Sequence, residues 1–567
     1  MKSASSLVSV SSVVNDLSAD QGRTPEELPS GGLLGLFAVA ALALLLALVG
    51  TRHLPLIDRD EGRYAEGARE MLASGDWLVP RLFGVPYLEK PPLFYWLTAA
   101  AYHMVGVDEL GARLVSALAA TAGVLATGLF ARRSFGARAA LFAAAILATS
   151  GLYFVLARVA ITDMLFAVLI AGAIMAFYAA ESEGRSFLPF WVLAAAATLT
   201  KGPVAPVLCA LVGAAHVAIA GRWAVLRARR FWSGLPLFLA LVVPWFAWVE
   251  IDHPGFLGFY VYKEHMLRVA GDEHREPFYW YVPWLLLCFL PWTPLFIATL
   301  PRIRIRLQER SRGGAAARFT AVWAALILAF FSLPRGKLVP YILPMFPALA
   351  ILLGDALDRW IGADDTGRAV PRAFACIALA LLAGLGALPV GVHYSPAEIP
   401  AGLVLLVAAG MLGAGVTTLY LARSRSWKPI AAVAGSVAAL ECAAIVVAAP
   451  IASYLTTYPV IQLLRARLGP DDPVVLFSGY FPNLPFYLQR IPYFVVGNRE
   501  LDFGVSLDGP GPWIVESFDA LKERIGNKRL LIVLRTRESE LQRLLNLPGE
   551  ARLLHRGRTS SLIEYRP

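Results

Sequence analysis

Two short stretches concentrate residue types able to do chemistry. The denser is Asp58-Arg59-Asp60-Glu61-Gly62-Arg63-Tyr64-Ala65-Glu66. A helix beginning near Glu61 puts Asp60 at its N-cap, beside the positive end of the helix dipole, where an anion or a reacting hydroxyl can meet it. In that place Asp60 has the chemistry of a general base. The plain alternative is a capped, solvated surface helix. The second stretch is Tyr87-Leu88-Glu89-Lys90-Pro91-Pro92. A lysine ahead of two prolines stands on a stiff backbone and can present a point charge to a phosphate, with Glu89 orienting it. Its bland counterpart is a snorkelling lysine with a salt-bridge partner.

Further residues of the same kind are scattered along the chain. Asp163 follows Thr162 at a helix start, a second carboxylate that helix capping alone also explains. Lys201-Gly202-Pro203 interrupts an apolar run, and Arg335-Gly336-Lys337-Leu338-Val339-Pro340-Tyr341 opens another. Tyr262-Lys263-Glu264-His265-Met266-Leu267-Arg268 and His274-Arg275-Glu276-Pro277-Phe278-Tyr279-Trp280 interleave cations with aromatics. Glu89 and His265 are the pair able to ligate a divalent metal, but two ligands from distant loops are a thin set, and no cofactor follows from the sequence. The four cysteines lie in apolar runs without ligand spacing, which disfavours a disulfide framework or a thiolate metal site.

The elements that must position these residues are membrane helices. Of 567 residues, 57% are hydrophobic and only 16% charged, and the mean hydropathy is +0.60, which excludes a soluble globular chain. The formal charge of +10 points to loop orientation in such a chain rather than to nucleic acid. Residues 1–31 read as a polar, disordered cytoplasmic tail. The run at 33–50 reads as a retained span rather than a cleaved signal. Apolar segments then recur near 110–131, 138–156, 163–180, 188–200, 203–220, 232–250, 278–300, 316–332, 338–354, 373–393, 401–421 and 429–449, about 13 spans in all. Residues 93–105, with Tyr95, Trp96, Tyr102 and His103 behind Pro91-Pro92, read as an interfacial helix instead. With that choice the arginine-rich loops at 132–138, 222–230, 302–312 and 423–428 share one side, the cytoplasm by the positive-inside rule. Arg63, Lys90, Arg158, Lys201, Arg268, Arg275, Arg335 and Lys337 then lie on the other face against that rule, so an anionic group there calls for them.

The expected organisation is mainly α: a transmembrane body over 32–450, including an outer loop with juxtamembrane helices at 53–110, and a small α/β domain outside the membrane over 451–567. In the latter, 474–477, 492–496 and 530–534 read as buried strands, and 518–525 and 538–545 as helices. No phosphate loop marks it, so a lid or scaffold is its expected role. A transporter would carry ionisable residues deep in its spans; only Glu441 clearly does.

With these residues in view, the chain resembles the GT-C type glycosyltransferases that use polyprenol-phosphate sugars, the group of aminoarabinose lipid A transferases and protein O-mannosyltransferases. The resemblance rests on Asp60 to Tyr64, Met71-Leu72-Ala73-Ser74-Gly75-Asp76-Trp77, Tyr87 to Pro92, Asp163, Thr200 to Pro203 and Lys337 to Pro344. It implies the GT-C fold of 13 spans with an outer C-terminal domain. It also implies transfer of a sugar from undecaprenyl phosphate to lipid A or another envelope acceptor, with inversion, at the periplasmic face of the bacterial inner membrane. Lys90, Arg275, Lys201 and Arg63 then neutralise the leaving phosphate. Asp60 is the base, with Asp163 the second candidate, and Tyr64, Tyr87 and Tyr341 orient sugar or phosphate while Glu89 positions Lys90. Gly62 and Val339-Pro340 depart from the aminoarabinose branch, which leaves the acceptor and the sugar open. The alternatives are a lipid-linked sugar flippase and a non-catalytic assembly platform.

Overall fold

The computed structural model describes residues 31–263, 275–362, 367–393, 399–495 and 500–567. Residues 1–30 of the tail expected over 1–31 lie outside the described residues, and Gly31 begins the first helix. The apolar segments are helical: α1 is Gly31–Leu48, α2 Asp60–Ser74, α3 Leu93–Val105, α4 Glu109–Phe135, α5 Ala137–Ala148, α6 Gly151–Ala157, α7 Thr162–Ser182, α8 Leu188–Lys201 and α9 Val204–Ala220. There follow α10 Leu235–Asp252, α11 Tyr281–Cys288, α12 Thr293–Gln308, α13 Arg312–Ser332, α14 Phe346–Gly362, α15 Ala369–His393, α16 Ala401–Leu421 and α17 Lys428–Leu455. Among the described residues nine helices are long and apolar enough to cross a membrane, or eleven if each of two bent pairs is one span; α8 and α9 are shorter apolar helices. The bent pairs are α5 with α6, at 65°, and α11 with α12, at 105°. Their breaks meet: Gly151 N–H donates to Leu290 O at 3.1 Å and Trp292 Nε1–H to Thr149 Oγ1 at 3.1 Å. A backbone N–H at one break thus finds its acceptor in a backbone carbonyl at the other, as an apolar surround requires.

The outer loop is built on α2 and α3. Ala65, Ala68 and Met71 recur at helical spacing and are buried, and Tyr64 packs edge-on against Phe94 of α3, ring centroids 5.6 Å apart. Gly75, in the left-handed region at φ 72°, ends α2. The helix starts one residue earlier than the sequence indicates. Asp60 is its first residue and Arg59 holds the N-cap position without a side-chain cap, because Glu61 itself turns back to accept from Ile57 N–H at 2.9 Å. The 13-residue α3 lies with Phe94, Tyr95, Thr98, Ala99, Ala101 and Tyr102 buried.

Beyond α17 come α18 (Tyr458–Arg467), β3 (Val474–Phe477), α19 (Asn483–Leu488), β4 (Tyr493–Val495), α20 (Asp502–Asp508), β5 (Ile514–Val515), α21 (Phe518–Ile525), β6 (Leu530–Arg535), α22 (Glu538–Leu545), β7 (Glu550–Arg556) and β8 (Ser560–Arg566); β1 (Arg81–Leu82) and β2 (Val85–Pro86) form a small hairpin in the outer loop. The six strands run in the order β5-β4-β3-β6-β8-β7. β5, β4, β3 and β6 are parallel, and β8 and β7 are antiparallel. Both expected helices and the three expected strands occur here; β5, β7, β8, α19 and α20 carry too short or too mixed a pattern to read from sequence.

Candidate active site

The acidic run at the start of α2 divides by direction. Glu61 points inward and is fully buried. It forms a two-pronged ion pair with Arg113 of α4, at 2.8 and 2.6 Å, and accepts from Ala160 N–H at 2.8 Å. The same guanidinium donates to the carbonyls of Thr51, Leu54 and Pro55. One buried pair therefore ties α2, α4, the turn that follows α1 and the turn before α7. Glu66 pairs with Arg69 at 2.7 Å through both oxygens, and Glu70 accepts from the amides of Phe83 and Gly84 at 2.7 and 2.9 Å. Burial pushes both carboxyls above their usual range. Asp60 points out, with 65% of its side chain exposed, and meets Arg63 at 3.3 Å.

Arg63, one turn on, is the centre of a first group. Its Nε donates to Arg59 O at 2.9 Å, and its Nη1 to Glu500 at 2.5 Å. Tyr87 Oη lies 2.9 Å from Glu89 and 3.0 Å from the same Glu500. Lys90, buried at 8% exposure, donates to Glu89 O at 2.8 Å. Burial pushes Tyr87 upward, so its phenol keeps its proton and serves as a donor.

A second group gathers at the ends of α7 and α8. Lys201 Nζ and Asp163 Oδ1 are 2.6 Å apart, each side chain about one-seventh exposed, and the ammonium lies over the ring of Tyr341 at 5.0 Å. Tyr64 joins the two groups. Its buried phenol feels the charges of Arg63, Asp163 and Glu89, and burial holds it protonated. Tyr64 thus links the group around Arg63 and Glu89 with the group of Asp163, Lys201 and Tyr341. The backbone of Arg275 bridges Gly336, next to Lys337, whose Nζ donates to Glu276 O at 3.2 Å. His265 lies outside the described residues, and among those described no three His, Cys, Asp or Glu side chains gather to hold a metal ion.

Sequence reasoning missed Glu500 and Tyr480. Both come from the C-terminal unit, and Tyr480, 4% exposed, faces the charges of Glu500, Arg63 and Glu89. No local motif marks either; Glu500 is 437 positions from its partner Arg63. A guanidinium beside protonated phenols is able to hold an anion, and an aspartate within its reach is able to accept a proton.

The sequence pattern of the family described as Dolichyl-phosphate-mannose-protein mannosyltransferase matches residues 89–248. The Undecaprenyl phosphate-alpha-4-amino-4-deoxy-L-arabinose arabinosyl transferase of Edwardsiella ictaluri is 32% identical over 359 residues, covering 60% of this chain and 62% of that protein. The first relatives are thus matched over less than two thirds of their length. The protein of the same description from Sodalis glossinidius is 32% identical over 413 residues, covering 68% of this chain and 71% of its own. In three dimensions the chain is similar to the crystal structure of ArnT from Cupriavidus metallidurans bound to undecaprenyl phosphate, with a TM-score of 0.80 and 27% identity over 93% of this chain and 97% of that one.

Proposed function

Because the chain belongs to the family of undecaprenyl phosphate-aminoarabinose arabinosyl transferases, we propose that it moves an aminoarabinose-like sugar from undecaprenyl phosphate to lipid A or another envelope acceptor. The observation that carries the reading is that the buried phenol of Tyr64 feels Arg63 and Glu89 on one side and Asp163, the partner of Lys201, on the other, so cations and carboxylates from remote segments share one neighbourhood. Its setting is a bacterial inner membrane protein of thirteen spans, the eleven counted by length plus α8 and α9, with the site facing the periplasm. The loop charges favour that orientation. Residues 32–450 form its catalytic body and 451–567 an outer domain.

The acceptor oxygen attacks the anomeric carbon as the bond from that carbon to the carrier phosphate breaks, and the electron pair leaves with the phosphate. Charge therefore grows on the phosphate, where Lys90 and Arg63 stabilise it most in the transition state. Tyr87 and Tyr64, held protonated, donate to sugar or phosphate oxygens. Asp60 takes the proton if the acceptor is a hydroxyl. If the acceptor is a phosphate, already ionised, no base is needed and Asp60 positions the sugar's amino or hydroxyl groups. Lys201 fixes Asp163 and adds positive potential.

The test is transfer of sugar from undecaprenyl-phosphate-aminoarabinose to lipid A by the purified protein in liposomes, read by mass spectrometry. A new lipid A species of the added sugar's mass, absent with Lys90→Ala, is expected. Carrier translocation without any new glycosidic bond would replace the reading with a flippase.

A further inference from the structure

Where the C-terminal unit meets the start of α2, a cavity of about 300 Å³ is lined by Asp58, Arg59, Tyr480, Phe481, Arg535 and Thr559. Its place in the sheet is informative. From β3 the chain runs through α19 to β4 and β5 on one side, then returns to β6 on the other. The strand order therefore reverses between β3 and β6. Tyr480 and Phe481 follow the carboxyl end of β3, and Arg535 is the last residue of β6, so the cavity lies at the point where open parallel sheets hold their ligands.

Its charge is equally telling. Arg59 and Arg535 both line it, and neither guanidinium has a carboxylate partner among the described residues. Burial, then the guanidiniums of Arg59 and Arg537, hold Arg535 below the usual arginine range, with Glu540 opposing. Two guanidiniums lining one small space make it suited to an anion. Asp58 does not fill that role, since its carboxylate is taken by Thr457 and Asn483. The buried Tyr480 lines this space and also feels the charges of Glu500 and Arg63, and Arg59 directly precedes Asp60 in the chain.

We propose that this crevice binds the phosphate group of the amphiphilic acceptor, clamped between Arg59 and Arg535, and so delivers the acceptor beside Asp60. The proposal rests on the transferase reading and adds to it where the acceptor is recognised. Guanidinium pairs favour a phosphate, which offers several acceptor oxygens to two planar donors.

Binding is measured on the full-length protein in detergent, without donor, using lipid A, fully dephosphorylated lipid A and inorganic phosphate as probes. Wild type is expected to bind lipid A and not the dephosphorylated form. Arg535→Ala is expected to weaken lipid A binding about tenfold or more, the loss of one charge-assisted contact, while undecaprenyl phosphate affinity stays at the wild-type value and Arg535→Lys recovers part of the loss. Equal lipid A binding by wild type and Arg535→Ala, or binding of inorganic phosphate but not lipid A, would overturn the assignment. The undecaprenyl phosphate measurement separates a misfolded variant from a vacant crevice. If lipid A binds through Arg535 but no sugar is ever transferred to it, the crevice stands and the transferase reading falls.

Discussion

At the scale of single residues, the pairing of Arg63 with Glu500 sets up a prediction opposite to the usual one for a site mutation. Arg63 is already held by Arg59 O at 2.9 Å and approached by Asp60, so Glu500 adds neutralisation more than placement. Glu500→Gln keeps an acceptor for Tyr87 but removes the countercharge. Undecaprenyl phosphate is therefore expected to bind severalfold more tightly, measured by titration in detergent; weaker binding would show that Glu500 positions Arg63 instead. Lys90 behaves in the ordinary sense. With its ammonium buried beside Glu89, Lys90→Ala is expected to cut turnover by about 10²- to 10³-fold, the loss of one aimed donor, while the protein still inserts and melts as before. A variant with near-normal turnover would remove Lys90 from the leaving-group role.

At the scale of elements, α2 is placed by buried charge rather than by propensity. Arg113→Ala strands the fully buried Glu61 carboxylate and is expected to cost about 3–5 kcal/mol, read as a lowered melting temperature. Adding Glu61→Gln should return part of that loss, since the stranded charge is gone. A second consequence follows from Glu66 and Glu70, whose carboxyls burial pushes up. Their folded forms bind the proton more tightly than the unfolded chain does. The contribution is thus whole below the unfolded carboxyl pKa and is lost as pH rises through the folded values. Stability should decline toward alkaline pH, and Glu66→Gln should flatten that decline; an unchanged pH profile would mean that another group governs it. These elements also mark what a sequence discloses. The apolar helices, and a separate helix at 93–105, were legible, because hydropathy is a local sum along the chain. The sorting of the acids in α2 was not. Asp60 and Glu61 look alike in sequence, and only Arg113, 52 positions away, decides that Glu61 turns in and Asp60 stays out.

At the scale of the molecule, the C-terminal unit forms a wall beside Arg63, through Glu500 and Tyr480. It is fastened by Asp58 to Thr457 and Asn483 at 2.6 to 3.1 Å, by Tyr487 to Leu56 and Glu109 at 2.9 Å, by Arg81 to Asp508 at 2.9 Å, and by the stacked rings of Phe259 and Phe503 at 3.8 Å. Each fastening spans hundreds of residues, which is why no window of sequence announces Glu500 or Tyr480. A close backbone approach lies at Gly62, where an added Cβ would stand 2.6 Å from Asn483 N. Backbone cannot yield as a flexible side chain does, so Gly62→Ala must push α19, and the strands behind it, away from α2. The membrane helices do not depend on that contact. Helical content by circular dichroism should therefore stay at the wild-type value while proteolysis of the C-terminal unit quickens. Sugar transfer should fall at least as far as in Arg535→Ala, since Glu500, Tyr480 and Arg535 all withdraw together. Gly62→Ala with full transfer and unchanged proteolysis would mean that the unit adapts without moving, and that its fastenings, not its fit at α2, hold the wall in place.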